Sequence, residues 1–258
     1  MRRVRENAVA LYTILNKEIG RFTRIWTQTL LPSVISISLY FVIFGHLIGP
    51  KIGEMEGYRY IDYLVPGLIM MSMITNSYAN VVASFFSAKF QRNIEEMLVS
   101  PMPASIIFWG FVLGGVARGL CIGILVTTVS LFFTSLHIQH IGITLLVGVL
   151  TSILFSIAGL LNGIFAKKFD DINIVPTFIL TPLTYLGGVF YSVTMLSDFW
   201  QGVTHLNPIF YMVNAFRYGM LGYSDVPIEV SFMIIVGFVV VGYAISIVLL
   251  KKGVGVRG

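Results

Sequence analysis

The charged residues of this chain are spaced so that long stretches carry none: 25–50, 63–88, 97–117, 119–166, 172–197, 199–216 and 230–250. A helix that crosses a bilayer needs about 20 apolar residues, because ~30 Å of hydrocarbon is covered at ~1.5 Å per residue. Only 11% of the chain is charged and 56% is hydrophobic, whereas soluble domains carry about 25% charged residues to face water. The chain must therefore face lipid over most of its surface. The run 119–166 is too long for one helix and is expected to fold back at His137–His140, its only polar cluster. Spans are accordingly placed at 27–48, 63–87, 105–135, 142–166, 172–191 and 230–250.

The run 199–216 is excluded from that count. It holds Gln201, Thr204, His205, Asn207 and Asn214, and Pro208 interrupts it. A lone helix of this composition is costly in lipid, so a re-entrant or interfacial pair of short helices is the better expectation. The fold class read from the sequence is all-α: six membrane spans, an N-terminal amphipathic interfacial helix, and an exoplasmic re-entrant hairpin before the last span.

Orientation follows from the net charge of +5, or rather from where the cations sit. Arg2, Arg3, Arg5, Lys17, Arg21, Arg24, Lys89, Arg92, Lys167, Lys168, Lys251, Lys252 and Arg257 fall on one side; Lys51, Arg59 and Arg217 fall on the other. The positive-inside rule puts both termini in the cytoplasm, which requires an even number of spans. The bilayer explains this charge better than nucleic acid does. The leader contains Glu6 and Glu18 and runs into a long apolar stretch, so it is not read as a cleavable signal. Cys121 is alone, which leaves no internal disulfide and no cysteine metal site.

Several segments promise more than spanning. Ala8, Leu11, Tyr12, Leu15, Ile19, Phe22 and Trp26 recur at helical spacing, with Asn16, Lys17, Arg21 and Arg24 opposite. That is an amphipathic helix suited to the cytoplasmic leaflet, either as an anchor or as a platform for a partner. Gly110, Gly114, Gly115, Gly119 and Gly123 form a small-residue ridge in span three, and Gly159 with Gly163 repeats it in span four. Such ridges serve close packing within a chain or a dimer seam. Ser72, Asn76 and Asn80 make a polar stripe in span two, open to either interhelical bonding or a headgroup path.

Arg118 is the only formal charge inside a span, and it acts in transport or snorkels to the interface. No span carries Asp or Glu, which disfavours a proton-coupled carrier. His46, His137, His140 and His205 map to span ends or loops on one side, and His137 and His140, three apart, have no carboxylate nearby, so a metal site is not expected. No phosphate-binding loop, zinc-protease or serine-hydrolase motif occurs.

Two segments carry a resemblance. KFQRNIEEMLVSPMP, residues 89–103, follows span two, and HLNPIFYMVNAFRYGMLG, residues 205–222, follows span five. Both are similar to signatures of ABC-2 type transporter permeases, the wording being closest to a YadH-like subgroup, and the likeness covers nearly the whole chain. It implies the membrane half of an exporter built from two copies of a six-span subunit and two copies of a separate P-loop ATPase. ATP and magnesium would be bound by that partner, with no cofactor or catalytic residue in this chain.

Carried over residue by residue, Arg92, Glu95, Glu96, Met97, Leu98, Ser100 and Pro101 lie at the ATPase contact. Asn207, Pro208, Arg217, Gly219 and Gly222 lie in the exoplasmic hairpin. Glu95 and Glu96 are also readable as a helix end, and Pro208 and Gly222 as turn formers. Arg118, Ser72, Asn76 and Asn80 are the pathway candidates. The implied organisation is an interface helix over 1–26, a transmembrane domain over 27–250 with a coupling loop at 89–104 and a re-entrant region at 192–227, and a tail at 251–258. The cargo is expected to be hydrophobic or amphipathic, exported across a bacterial inner membrane. An ATPase-independent channel or secondary carrier is the competing reading.

Overall fold

The computed structural model describes residues 2–100, 102–136 and 138–255; Pro101, His137 and Arg257, named above, lie outside the described residues. Five helices are long and apolar enough to cross a membrane: Trp26–Ile52 (α2), Tyr60–Phe90 (α3), Ala104–Ser130 (α5), Ile141–Phe165 (α6) and Ile228–Lys252 (α10). Helix α1, Arg2–Arg24, precedes them, and the short α4, Asn93–Val99, joins α3 to α5. Two further helices, α8 (Asp198–His205) and α9 (Pro208–Leu221), fill the run 199–216. Among the described residues, the strand pairing is a short hairpin of Glu54–Met55 with Tyr58–Arg59 between α2 and α3.

The predicted span 172–191 is shorter and less regular than expected. Residues 171–185 form α7 as an α turn, a π turn at Pro176–Leu180 and a second α turn. Two prolines explain this. Pro182 offers no N–H to the preceding turn, and Thr181 reaches back five residues, donating both its N–H and its hydroxyl to the Pro176 carbonyl. The helix stops before Gly187 and Gly188, the latter at φ +71°. Fifteen residues rise about 22 Å, short of a ~30 Å core.

Helix α3 is the axis of the bundle. In its most apolar stretch 78% of the residues are buried, against 11% for α2 and 17% for α10. It packs on α5, α6 and α9. The glycine ridge of α5 makes this approach possible, and it is spent inside the chain. A Cβ at Gly119 would lie 2.0 Å from the Ser77 hydroxyl, and one at Gly159 would lie 2.5 Å from the Tyr78 carbonyl oxygen. The ridge therefore serves intramolecular packing, the first of the two uses read from the sequence.

Helix α1 corrects the sequence reading. It packs across α5, with Ile14 in the notch at Gly110 and the Glu18 stem at Gly114. Its buried positions are Ile14, Glu18 and Phe22, while Tyr12 and Trp26 of the expected stripe are exposed. The apolar stripe is shared: one edge meets the bundle and the other does not. Arg21, assigned to the wet face, is half-buried against α3.

Candidate functional site

Three groups of polar residues interrupt the apolar bundle. The first is a seam where α1, α2, α3 and α5 meet. Ser72, Asn76 and Asn80 project from one face of α3 because i, i+4 and i+8 align on a helix. Arg118, fourteen residues into α5 and about 21 Å from its start, donates Nε and Nη2 to the Asn76 side-chain oxygen at 3.2 and 2.9 Å. Its Nη2 also reaches the Thr29 carbonyl at 2.9 Å. Those bonds hold the guanidinium against α2 and α3.

That carbonyl is reachable because α2 breaks at Leu30, before Pro32, and the Thr29 hydroxyl ties the break to the Phe22 carbonyl of α1 at 2.8 Å. Asn76 Nδ2 donates to the Ser33 hydroxyl and to the Ser72 carbonyl, each at 3.0 Å. One turn along, Arg21 donates to the backbone and side-chain oxygens of Asn80, both at 2.9 Å, and pairs with Glu18 at 3.2 Å. Glu18, 1% exposed, accepts from the Ser84 hydroxyl at 2.5 Å.

The four pathway candidates thus share one seam. Glu18, Arg21, Thr29, Ser33 and Ser84 belong to it and were missed. An acid three residues before an arginine on an otherwise apolar helix face was the available signal. A groove of about 300 Å³ opens beside the seam between α2 and α3, lined by Ser33, Ser36, Tyr40, Ser72, Thr75 and Asn76 among others.

The second group lies at the opposite end of the bundle and is built around α9. Asn207 is its N-cap, accepting from the Ile209 N–H at 3.0 Å while its Nδ2 donates to the Leu183 carbonyl at 2.6 Å. Pro208 occupies the first turn, where a missing N–H costs nothing. Gly222, at φ +76°, closes the helix in the left-handed conformation. The last four carbonyls are all paired: Tyr218 with the Gly222 N–H, Gly219 with His140 N–H, Met220 with Gln139 N–H, and Leu221 with the Tyr58 hydroxyl. Gly219 permits this, since a Cβ there would lie 2.8 Å from the Thr144 nitrogen.

Arg217 is 0% exposed. It donates to the Gly188 carbonyl at 2.5 Å, pairs with Asp225 at 3.5 Å and lies 4.0 Å over the Tyr63 ring. The sequence reading counted it with the cations of the less basic side and placed it in the hairpin; it is a core residue of α9. Around it, Asp225 takes the Tyr223 hydroxyl, whose own ionisation is pushed upward first by burial and then by that carboxylate. Asn214 bonds Ser224, Ser231 and the backbone of Asp225 and Val226, binding the loop to α9 and α10.

The third group is α4 and its flanks. Lys89 donates to the Ile164 and Ala166 carbonyls at 2.6 and 2.7 Å, capping the end of α6. Arg92, at φ +62°, turns the chain into α4. Ile94 is fully buried, and Met97 and Leu98 pack inward against the same core. Met97 and Leu98 were read as docking residues for a partner; a helix this short has one apolar face, and here it is used to hold the helix to the bundle. The outward residues are Arg92, Glu96 and Val99, the last 87% exposed. Glu95 is half-buried. Ser100 ends the helix with its hydroxyl on the Met97 carbonyl at 2.7 Å.

The family described as ABC-2 type transporter matches residues 9–221. The inner membrane transport permease YadH of Escherichia coli K12 is 61% identical over 249 residues, covering 96% of this chain and 97% of that one. The YadH permease of Shigella flexneri matches to the same extent. Nodulation protein J of Neorhizobium galegae is 23% identical over 225 residues, 87% of this chain and 86% of its own.

Proposed function

The chain belongs to the ABC-2 type transporter family, and from that premise we propose that it is the membrane half of an exporter driven by a separate ATP-hydrolysing subunit. It is a multi-pass inner-membrane transport permease. In the proposed arrangement residues 171–185 complete a sixth, thinner crossing, both termini are cytoplasmic, and the α8–α9 hairpin re-enters from the exoplasmic side. Two copies of the permease pair with two ATPase subunits, and the cargo is hydrophobic or amphipathic.

The observation that carries the reading is the mounting of α4. It stands between two long helices, its apolar face is fixed to the bundle, and Lys89 staples its root to α6. A short helix held in this way moves with the bundle as one body, so a push on it is passed into the membrane rather than absorbed by a loop. The face left outward, Arg92, Glu96 and Val99, is a charged rim around one apolar residue, a pattern suited to register and affinity respectively.

The test is co-purification of an ATPase with the permease in nanodiscs, with ATP hydrolysis as a second readout. Val99→Arg together with Glu96→Lys should release the ATPase while leaving permease stability unchanged. Leu98→Arg should instead lower stability, because it forces a charge into the bundle. If no ATPase accompanies the wild type, or the outward variant still retains it, the ATPase-independent channel or carrier reading takes precedence.

A further inference from the structure

We infer that the groove between α2 and α3 holds the charged group of an anionic amphiphile, with Arg118 as its counter-charge. The inference rests on the transport reading above and names the chemistry of what the seam accepts.

The charge count of the seam comes first. It contains two guanidinium groups, Arg21 and Arg118, and one carboxylate, Glu18. Glu18 is committed to Arg21 at 3.2 Å and to Ser84 at 2.5 Å. Arg118 bonds only neutral oxygens, those of Asn76 and Thr29, and among the described residues no carboxylate pairs with it. Its Nη1 donates to nothing, yet it is not among the sealed, unsatisfied atoms. One face of the fork is therefore open to its surroundings. A cation inside a membrane bundle is costly without a partner of opposite sign, and none of the described residues supplies one.

The second observation is the groove. Its lining includes Asn76, whose oxygen takes two of the Arg118 bonds and whose amide nitrogen faces Ser33. Arg118 thus fixes the orientation of Asn76 and stands one hydrogen bond behind the groove surface. Ser36, Tyr40 and Thr75 supply hydroxyls along the same cleft. The flanking α2 positions Ile35 and Leu39 are exposed and apolar. Polar donors, an unanswered positive charge and an apolar flank together suit one ligand type: a phosphate- or carboxylate-bearing head with a hydrocarbon tail.

The source of such a head, exported cargo or resident phospholipid, is left to the experiment. Permease without ATPase is placed in phosphatidylcholine nanodiscs, and binding of fluorescent phosphatidic acid is compared with that of diacylglycerol carrying the same chains. The wild type should prefer the phosphate probe about tenfold. Arg118→Gln should abolish the preference, and Arg118→Lys should keep part of it. A variant with Arg3, Arg5 and Lys17 changed to Gln should retain it in full.

Equal binding of the two probes by the wild type overturns the inference. So does a preference that survives Arg118→Gln, and so does one lost with the leader cations, since that is adsorption at the membrane surface. With the ATPase complex, ATP-dependent release of the probe identifies cargo, and retention identifies a resident lipid; either outcome upholds the site. Because binding is read without the ATPase, failure here leaves the coupling test above untouched.

Discussion

At the hairpin end, Arg217 is sealed in the core, and its charge is answered by Asp225, by the Gly188 carbonyl and by the face of Tyr63. At the leader seam, Arg118 is half-buried and meets only an amide and a carbonyl oxygen. Both are arginines inside a bundle of membrane length, yet their surroundings assign opposite roles. A buried cation with a buried anion is part of the fold, since removing either partner strands the other. A cation held only by neutral oxygens, with one edge open, strands no anion when it is removed.

The largest effect should come from breaking the paired site. Arg217→Met leaves Asp225 buried without its partner and should cost about 3–5 kcal/mol, read as a fall in the thermal midpoint of the purified protein in detergent. Adding Asp225→Leu should recover much of that loss. A double variant as unstable as the single one would mean that the Gly188 bond and the Tyr63 contact, rather than charge pairing, hold the site together. Asn207→Ala should cost less, about 0.5–2 kcal/mol for the cap, with a further loss from the orphaned Leu183 carbonyl. Asn207→Asp keeps the cap oxygen but loses the donor to Leu183, so it should fall between wild type and alanine.

The unpaired site should respond less. Arg118→Met strands no anion but leaves the Asn76 side-chain oxygen and the Thr29 carbonyl without their donor, so it should cost about 1 kcal/mol, well short of the Arg217→Met loss. A loss comparable with that of Arg217→Met would erase the contrast and make Arg118 a structural residue too.

The two regions also differ in what the sequence could tell. The α9 block was readable because capping is local: Asn-Pro, with Gly fourteen residues after the proline, encodes a helix start and stop whatever surrounds it. Its core was not, because Arg217 finds Asp225 and Gly188 only through loops that periodicity does not place. The polar stripe of α3 was visible at i, i+4 and i+8, and Arg118 stood out as the lone charge in a span. Glu18 and Arg21 were hidden by averaging: a helix with one lipid edge and one protein edge looks like a surface helix, and its wet face was drawn through Arg21. The five long helices followed from charge-free length together with the polar break at His137–His140, whereas the broken α7 depended on how two prolines reroute hydrogen bonds.

The smallest expected effect lies at the edge of the paired site, on Glu56. It sits at the tip of the Glu54–Arg59 hairpin with φ +50°, next to Gly57 at φ +80°. That two-residue turn favours Asn, Asp or Gly. A glutamate there is held by its side chain, which accepts from the Ser192 hydroxyl at 2.7 Å and from Thr194 at 2.8 Å. Ser192 has one proton and three acceptors in view, Glu56, Thr194 and Asp225 at 3.5 Å, so the shorter carboxylate contact takes it. Those hydroxyls favour the charged form, Ser192 most, with Thr194, Tyr223 and Arg217 adding to it, and they hold the Glu56 carboxyl below its ordinary value of 4.5.

A lowered folded-state value means that the clasp contributes fully above pH ~4.5 and loses its contribution as pH falls through the folded value. Glu56 is exposed, so the effect should stay below about 1 kcal/mol. The difference between wild type and Glu56→Gln isolates the one carboxylate. At neutral pH the glutamine variant should melt lower, and the gap should close on acidification. Glu56→Gly should melt closer to wild type, because glycine relieves the left-handed strain while giving up the same bonds. A gap between wild type and Glu56→Gln that is constant with pH would show that the hairpin is held by its backbone alone, confining the charge pairing of this end to Arg217 and Asp225.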